Sequence, residues 1–336
     1  WDTEFGTGTT QSVFIGQAGT NDDGAPTEKT ADSFGNLRGL APEEPTKQGS
    51  YYQASVAYYG RINDLSTAPS DQNMTTFGVA LSSPLPRIEI DTDDDGTVDI
   101  TIVPYAKSVG GYSISATEGD FQPTNTIVDV FMQEQTPTYG RFRINYEDVE
   151  QGADHDMDAI ATYEYTVNGD GTLTIDVSSD YAAGSIIQHM GYVISGTTAD
   201  GTYLVVRDED TASGDDPDYF LDTPPGEAPG GNWNDGVALP LSSSRTFTPS
   251  GSPATILNNP LWYAAKWGGF EEKGGTVNVP DQQDEWDEGP GSPDGDPDTY
   301  FYVTNPLYLE QQLGRSFAEI LRRSSSGTAA SVISSS

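Results

Sequence analysis

Between Thr126 and Arg207, apolar and polar residues alternate with a period of two. Phe142, Ile144 and Tyr146 are interleaved with Arg141, Arg143 and Asn145, and Tyr163, Tyr165 and Val167 with Thr162, Glu164 and Thr166. This alternation marks strands with one buried face. Asn168-Gly169-Asp170-Gly171 separates the second run from Leu173, Ile175 and Val177, and its Asn and Gly residues supply the positive φ angles of a tight hairpin. Ile186 to Ser195 and Thr202 to Arg207 add two strands around a Gly196 to Gly201 turn, giving at least six strands in about 80 residues, the density of a sandwich.

Helical spacing appears in three places. In Ser50 to Asp64, Tyr51, Tyr52, Val56, Tyr59 and Ile62 recur at three- and four-residue steps, with Ser50 placed to cap. Ala254 to Trp267 predicts a short helix. Asn305 to Arg323 predicts another, with Asn305 as cap, Pro306 first, and Leu309, Leu313, Phe317, Ile320 and Leu321 as one apolar stripe. Arg322 and Arg323 then sit at its negative end. Met74 to Leu81 reads as a buried strand and Ile88 to Val103 as a hairpin bent at Asp93 to Gly96.

The fold class predicted is mainly β with a few helices: a β-sandwich core plus a small helical, calcium-loop-containing C-terminal module. The expected divisions are an irregular arm at 1–48, an α/β region with an Asp-rich hairpin at 49–125, the sandwich at 126–207, and a Pro/Gly/Asp-rich linker at 208–253 pinned by Phe220, Trp233 and Phe247. The helical module with its acidic loop occupies 254–323, and a Ser-rich tail or donated strand 324–336.

Charge narrows the partners. The 336 residues carry 52 acids against 15 bases, a net charge of −37. A phosphate backbone or anionic lipid surface would be repelled, so nucleic acid is excluded and cations are the natural counterpart. Cys is absent, which removes disulfides, thiolate metal sites and a thiol nucleophile, and the two histidines, His155 and His189, are too few for a multi-His centre. No apolar run approaches the roughly 20 residues of a membrane-spanning helix. The start at Trp1, without Met, reads as a mature or trimmed piece of a longer precursor.

Two acidic loops carry the candidate chemistry. Asp91-Thr92-Asp93-Asp94-Asp95-Gly96-Thr97-Val98-Asp99 places carboxylates at Asp91, Asp93, Asp95 and Asp99 with Gly96 for the sharp turn and the Thr97 carbonyl as a further oxygen. Ile102 stands where an EF-hand needs its bidentate Glu, and the flanks read as strands, so this is not an EF-hand. The second loop runs from Asp284 to Tyr300, with Asp284, Asp287, Asp294, Asp296 and Asp298 around a Gly/Pro turn. Crowded carboxylates on a flexible loop suit Ca2+, which accepts oxygen ligands in loose geometry.

Two further acid clusters are weaker candidates: Glu147, Asp148, Glu150, Asp154, Asp156 and Asp158 around His155, and Asp208, Glu209, Asp210, Asp215, Asp216 and Asp218. His189, within a strand, reads as a satisfied structural histidine rather than a base. No nucleophile elbow, phosphate loop or HExxH motif is present, and no motif selects a glycosidase-type carboxylate pair, so catalysis is not expected.

Several stretches together resemble the PilC/PilY family of type IV pilus tip adhesin and assembly proteins. They are Asn259-Pro260-Leu261-Trp262-Tyr263-Ala264-Ala265-Lys266-Trp267-Gly268-Gly269-Phe270, then Glu285-Trp286-Asp287, Asp294 to Phe301, Val303-Thr304-Asn305-Pro306, and Ser324 to Ala330. Ser50 to Asp64 and Asn73 to Leu81 are similar to the last helix and strand of the family's von Willebrand factor A region. The resemblance places the chain between that region and a C-terminal β-propeller. It implies an extracellular, calcium-stabilised adhesion or assembly module at a bacterial cell surface, with pilus or other surface proteins as partners. The alternative expectation is a structural subunit that polymerises into a filament through exchanged terminal segments.

Overall fold

The computed structural model describes residues 1–19, 21–38, 50–81, 86–110, 125–148, 157–224, 226–227, 236–251, 253–289, 293–303 and 308–326. In chain order, helix α1 (Asp2–Phe5) precedes strands β1 (Gln11–Ala18), β2 (Asn21–Ala31) and β3 (Leu37–Arg38). Helix α2 (Tyr52–Ile62) and strands β4 (Gly78–Leu81), β5 (Ile88–Ile90) and β6 (Ile100–Ser108) follow. Next come β7 (Thr126–Thr136), β8 (Tyr139–Glu147), β9 (Ala159–Val167), β10 (Leu173–Ala182), β11 (Gln188–Ser195) and β12 (Gly201–Arg207). The chain continues through β13 (Ser242–Phe247), α3 (Pro260–Gly269), β14 (Tyr300–Val303) and α4 (Leu309–Ser326).

The core is a β-sandwich. One sheet has the order β13-β10-β9-β8-β7 and the other β12-β11-β6-β5, all antiparallel. The alternating residues do what their period requires: Phe142, Ile144 and Tyr146 from β8, Tyr163 from β9 and Ile175 and Val177 from β10 are buried against Met190, Tyr192 and Ile194 of β11. Phe142 and Tyr163 stack with centroids 5.1 Å apart. The buried Tyr163 hydroxyl meets Tyr146 Oη at 2.7 Å and donates to the Gly191 carbonyl at 2.7 Å, so these two hydroxyls are satisfied within the core.

The sandwich extends beyond 126–207. It recruits β5 and β6 from the region expected to be α/β and β13 from the expected linker. Every residue of β6 is buried, because the core covers its inner side and Phe14, Tyr219 and Leu221 pack with Val103 and Tyr105 on the other. A strand covered on both faces shows no alternation. Gly196, at φ +94°, turns between β11 and β12 with its backbone against Asp99: a Cβ there would lie 1.9 Å from the Asp99 carbonyl oxygen.

Residues 1–48 are not an irregular arm where described. They form a three-stranded sheet, β2-β1-β3, in which Gln11 pairs with Ala31 and the ladder bulges between Ile15 and Gln17. The buried Lys29 ammonium donates to the Ile15 carbonyl at 2.7 Å beside that bulge. Val13 and Ile15 enter an aromatic cluster with Phe34, Tyr51, Trp262 and Tyr263, while Phe14 enters the cluster behind β6. Two-sided burial again hides the strand period.

Helices α2 and α3 pack together beside this sheet. Helix α2 starts one residue later than expected: Tyr51 is the N-cap residue, and the Ser50 hydroxyl accepts from the Tyr52 amide at 3.2 Å. Its buried side is Tyr51, Ala54 and Gly60, whereas Tyr52, Val56 and Tyr59 are exposed. Helix α3 begins at Pro260, not Ala254, because Thr255 bridges to Val13 and Asn259 caps by accepting from the Leu261 amide at 2.8 Å. The expected strand over Met74–Leu81 is confined to β4, which pairs in parallel with β14.

Helix α4 runs on to Ser326, and the expected cap, Asn305 and Pro306, lies outside the described residues, as do Trp233 and residues 327–336. Its stripe is not core: Leu313, Phe317, Ile320 and Leu321 are exposed. The helix is attached through its basic end, where Arg323 donates to the Gly269 carbonyl and pairs with Glu271 at 3.0 Å. Among the described residues no helix is long and apolar enough to cross a membrane.

Candidate metal centre

The loop joining β5 to β6 is organised by its first aspartate. Asp91 Oδ1 accepts from the amides of Asp93, Asp94 and Asp95 at 3.2, 2.7 and 3.3 Å, and Oδ2 from Gly96 at 2.7 Å. Asp99 closes the loop: its Oδ2 accepts from the Thr92 amide at 2.8 Å and hydroxyl at 2.6 Å, and its own amide donates to the Ile90 carbonyl at 3.0 Å. The turn needs left-handed backbone at Asp94 and Gly96, with φ of 61° and 87°, which Asp tolerates and Gly adopts freely.

The folded loop draws Asp91, Asp93 and Asp99 together, with one ligand oxygen from each lying within 4.8 Å of the others. Asp95, also expected in the set, turns aside to accept from the Thr97 amide and hydroxyl at 2.8 and 2.5 Å. The electrostatics follow from the geometry. The Gly96 amide leads the backbone donors that hold the Asp91 carboxyl below its ordinary range, while the Asp95 charge is the main cause of the rise at Asp93. Converging carboxylates that resist ionisation together are stabilised by a cation placed between them. Oxygen donors alone suit a hard divalent ion.

The second acidic loop is folded differently. Asp287 is buried, and its carboxylate accepts from the amides of Asp294 and Gly295 at 3.2 and 3.0 Å and from Gln283 Nε2 at 3.1 Å. Asp294 accepts from the Asp296 amide at 3.1 Å, and Asp296 from the Trp262 indole at 3.0 Å. Asp298 accepts from Glu288 and Gly289 amides, and the Asp284 carbonyl is taken by the Lys273 ammonium. The side chains of Asp287, Asp294, Asp296 and Asp298 thus accept hydrogen bonds within and beside their own loop, and with Asp284 they do not converge as Asp91, Asp93 and Asp99 do. Burial first, and then the charges of Asp294 and Asp287, raise Asp296. Asp287, Asp294 and Asp296 are therefore near enough to repel.

The weaker clusters disperse. Asp148 is buried beside the Ser108 hydroxyl, and its amide donates to Asp158 at 2.7 Å; Glu150, Asp154, His155 and Asp156 lie outside the described residues. Asp208 is buried and accepts from the Gln188 and Thr211 amides at 2.9 and 2.8 Å. Asp216 and Asp222 clamp His189: Nε2 lies 2.7 Å from Asp216 Oδ1 and Nδ1 3.0 Å from Asp222 Oδ1. Burial opposes the imidazolium, but the Asp222 charge and the hydrogen bonds the ring donates to both carboxylates outweigh it and raise His189 to about 10. Composition around His189 gave no signal for this pairing, because its partners lie 27 and 33 residues away.

Comparison with known proteins places the fold. Residues 93–240 match the family described as PilY1 homolog, beta-sandwich, and residues 1–60 that described as PilY1 homolog, second domain. The whole chain aligns with the type IV pilus biogenesis factor PilY1 homolog of Xylella fastidiosa at 40% identity over 373 residues, and spans 23% of that relative's length. No solved structure matches. The matched sandwich begins inside the Asp91–Asp99 loop and takes in β6 to β12. The chain belongs to the PilY1 homolog family, of which it carries the second domain and the β-sandwich.

Proposed function

We propose that the chain is a calcium-stabilised module of an extracellular, pilus-associated bacterial protein, working in adhesion or assembly rather than in catalysis. The observation that carries the metal reading is the convergence of Asp91, Asp93 and Asp99 at the tip of the β5–β6 hairpin. These carboxylates, with the Thr97 carbonyl, form the oxygen set for Ca2+, and the ion offsets the repulsion that raises Asp93. The C-terminal loop, where Asp287 and Asp294 both raise the Asp296 carboxyl, would hold a second ion only after its aspartates rearrange, since Asp284, Asp287, Asp294, Asp296 and Asp298 do not converge as folded. The pilus association is supported by the 40% identity to a type IV pilus biogenesis factor, and pilus or other surface proteins are the partners it suggests.

A non-catalytic role agrees with the histidine chemistry, since both ring nitrogens of His189 are committed to buried carboxylates. The role of the ion is mechanical: it fixes the hairpin tip against the Gly196 turn and so the end of the sandwich. Thermal unfolding with calcium and with EDTA tests this. Calcium raises Tm and protease resistance in the wild type; an unchanged Tm in EDTA would show that both loops are merely solvated.

A further inference from the structure

The solvent face of the five-stranded sheet carries a groove of about 310 Å3 over β9, β10 and β13, lined by Thr162, Glu164, Asp176, Ser178, Ser242 and Ser244. Register explains its shape. Thr162 stands opposite Ser178 and Ser178 opposite Ser242, while Glu164 stands opposite Asp176 and Asp176 opposite Ser244. Small hydroxyl side chains on β10 and β13 leave the trench open. Asp180 braces its rim by accepting from the hydroxyls of Thr162 and, at 3.1 Å, Ser178.

The floor of this groove holds two like charges face to face. Directly opposed carboxylates destabilise a sheet. Glu164 is compensated, with Tyr139 Oη donating at 2.8 Å and Arg141 Nε 3.5 Å away. Asp176 is exposed and makes no hydrogen bond among the described residues. The row through Thr162 continues across Arg143 to Phe131, an exposed ring beneath the Arg143 guanidinium. Five strands at their usual spacing make that row roughly 19 Å long.

We propose that this groove binds a hydroxyl-rich ligand, a glycan, with Glu164 and Asp176 accepting from neighbouring sugar hydroxyls and Phe131 offering a flat apolar surface to a ring further along the row. Directly opposed residues have Cβ atoms about 5 Å apart, so the two carboxylates can reach hydroxyls of one sugar ring, and hydrogen bonds to an ionised acceptor are the strong ones. The Ser242 and Ser244 hydroxyls, which can both donate and accept, and those of Thr162 and Ser178, which can still accept, complete a lining suited to a polyol better than to a bare cation. The site rests on the sandwich alone, independent of the calcium loops, and gives the adhesion reading a ligand class.

Saturation-transfer NMR of the full chain with defined neutral hexose and N-acetylhexosamine oligomers, in calcium and in EDTA, tests it. Transfer is expected to the wild type, with affinity falling at least tenfold in Asp176→Asn and lost in Ser244→Trp, which fills the groove. Asp176→Asn should keep or raise Tm, since it relieves the like-charge pair, so loss of binding would not reflect unfolding. No transfer from any oligomer, transfer unchanged in both variants, or a calorimetric calcium signal that vanishes with Asp176→Asn would overturn the proposal. Sugar binding that persists where calcium has no effect on Tm would disprove only the metal reading.

Discussion

His189 Nε2 and Asp216 Oδ1 lie 2.7 Å apart, both side chains sealed from solvent, and Asp222 holds the other ring nitrogen. The pairing ties β11 to the segment after β12, which covers the outer face of the four-stranded sheet through Tyr219 and Leu221. Replacing His189 by Gln leaves two buried carboxylates without a cation, and the cost expected is about 3–5 kcal/mol, the range for breaking a buried pair. Urea unfolding at neutral pH measures it.

The same pair sets a pH dependence. His189 titrates near 10 in the folded protein against an ordinary 6.5, so its stabilisation is complete below 6.5 and is lost as pH rises through 10. Asp222, whose carboxyl is raised chiefly by burial, gives up stability in the same direction as pH rises above its ordinary 3.8. Denaturation midpoints should decline between pH 6.5 and 10 in the wild type, and this slope should flatten in His189→Gln.

Calcium dependence should separate the two acidic loops. At a calcium concentration 100 times Kd, a single site adds about 2.7 kcal/mol. Asp91→Asn and Asp99→Asn should remove that increment, whereas Asp93→Asn should weaken it while relieving the repulsion from Asp95 in the metal-free protein. Asp296→Asn, which keeps an acceptor for the Trp262 indole, reports on the C-terminal loop alone. Tm measured with and without EDTA for each variant decides which loop holds the ion.

Tyr163→Phe deletes the hydroxyl that joins Tyr146 to the Gly191 carbonyl across the two sheets. The ring stack with Phe142 survives, but the Tyr146 hydroxyl and the carbonyl are left buried without it. The expected loss is about 1–3 kcal/mol in chemical denaturation.

Glu4→Ala should release the N-terminal segment. Glu4 lies 2.8 Å from the buried Lys266 ammonium and accepts from the Trp267 indole at 2.9 Å, while Lys266 also faces the Trp286 ring at 4.4 Å. Losing the carboxylate leaves a buried cation held by aromatic faces alone. Amide exchange should accelerate through α1 and α3, with a stability loss of about 3 kcal/mol.

The sequence by itself determined the parts of the fold whose burial is one-sided. Alternation in β8, β9 and β10 specified strands and their inward faces, Asn168 to Gly171 specified their hairpin, and the Asp91–Asp99 spacing specified a turn that gathers carboxylates. Only the tertiary structure decided the rest. Val13, Phe14 and Ile15 are buried on both sides of β1, and β6 likewise, so neither carries a period from which a strand could be read. The stripe on α4 has the spacing of a core helix, yet the helix is held by Arg323 with that stripe exposed, because periodicity identifies an apolar face and not the surface that meets it. His189 found its partners, and Asp95 left the metal cluster, through contacts that exist only once loops and sheets have packed.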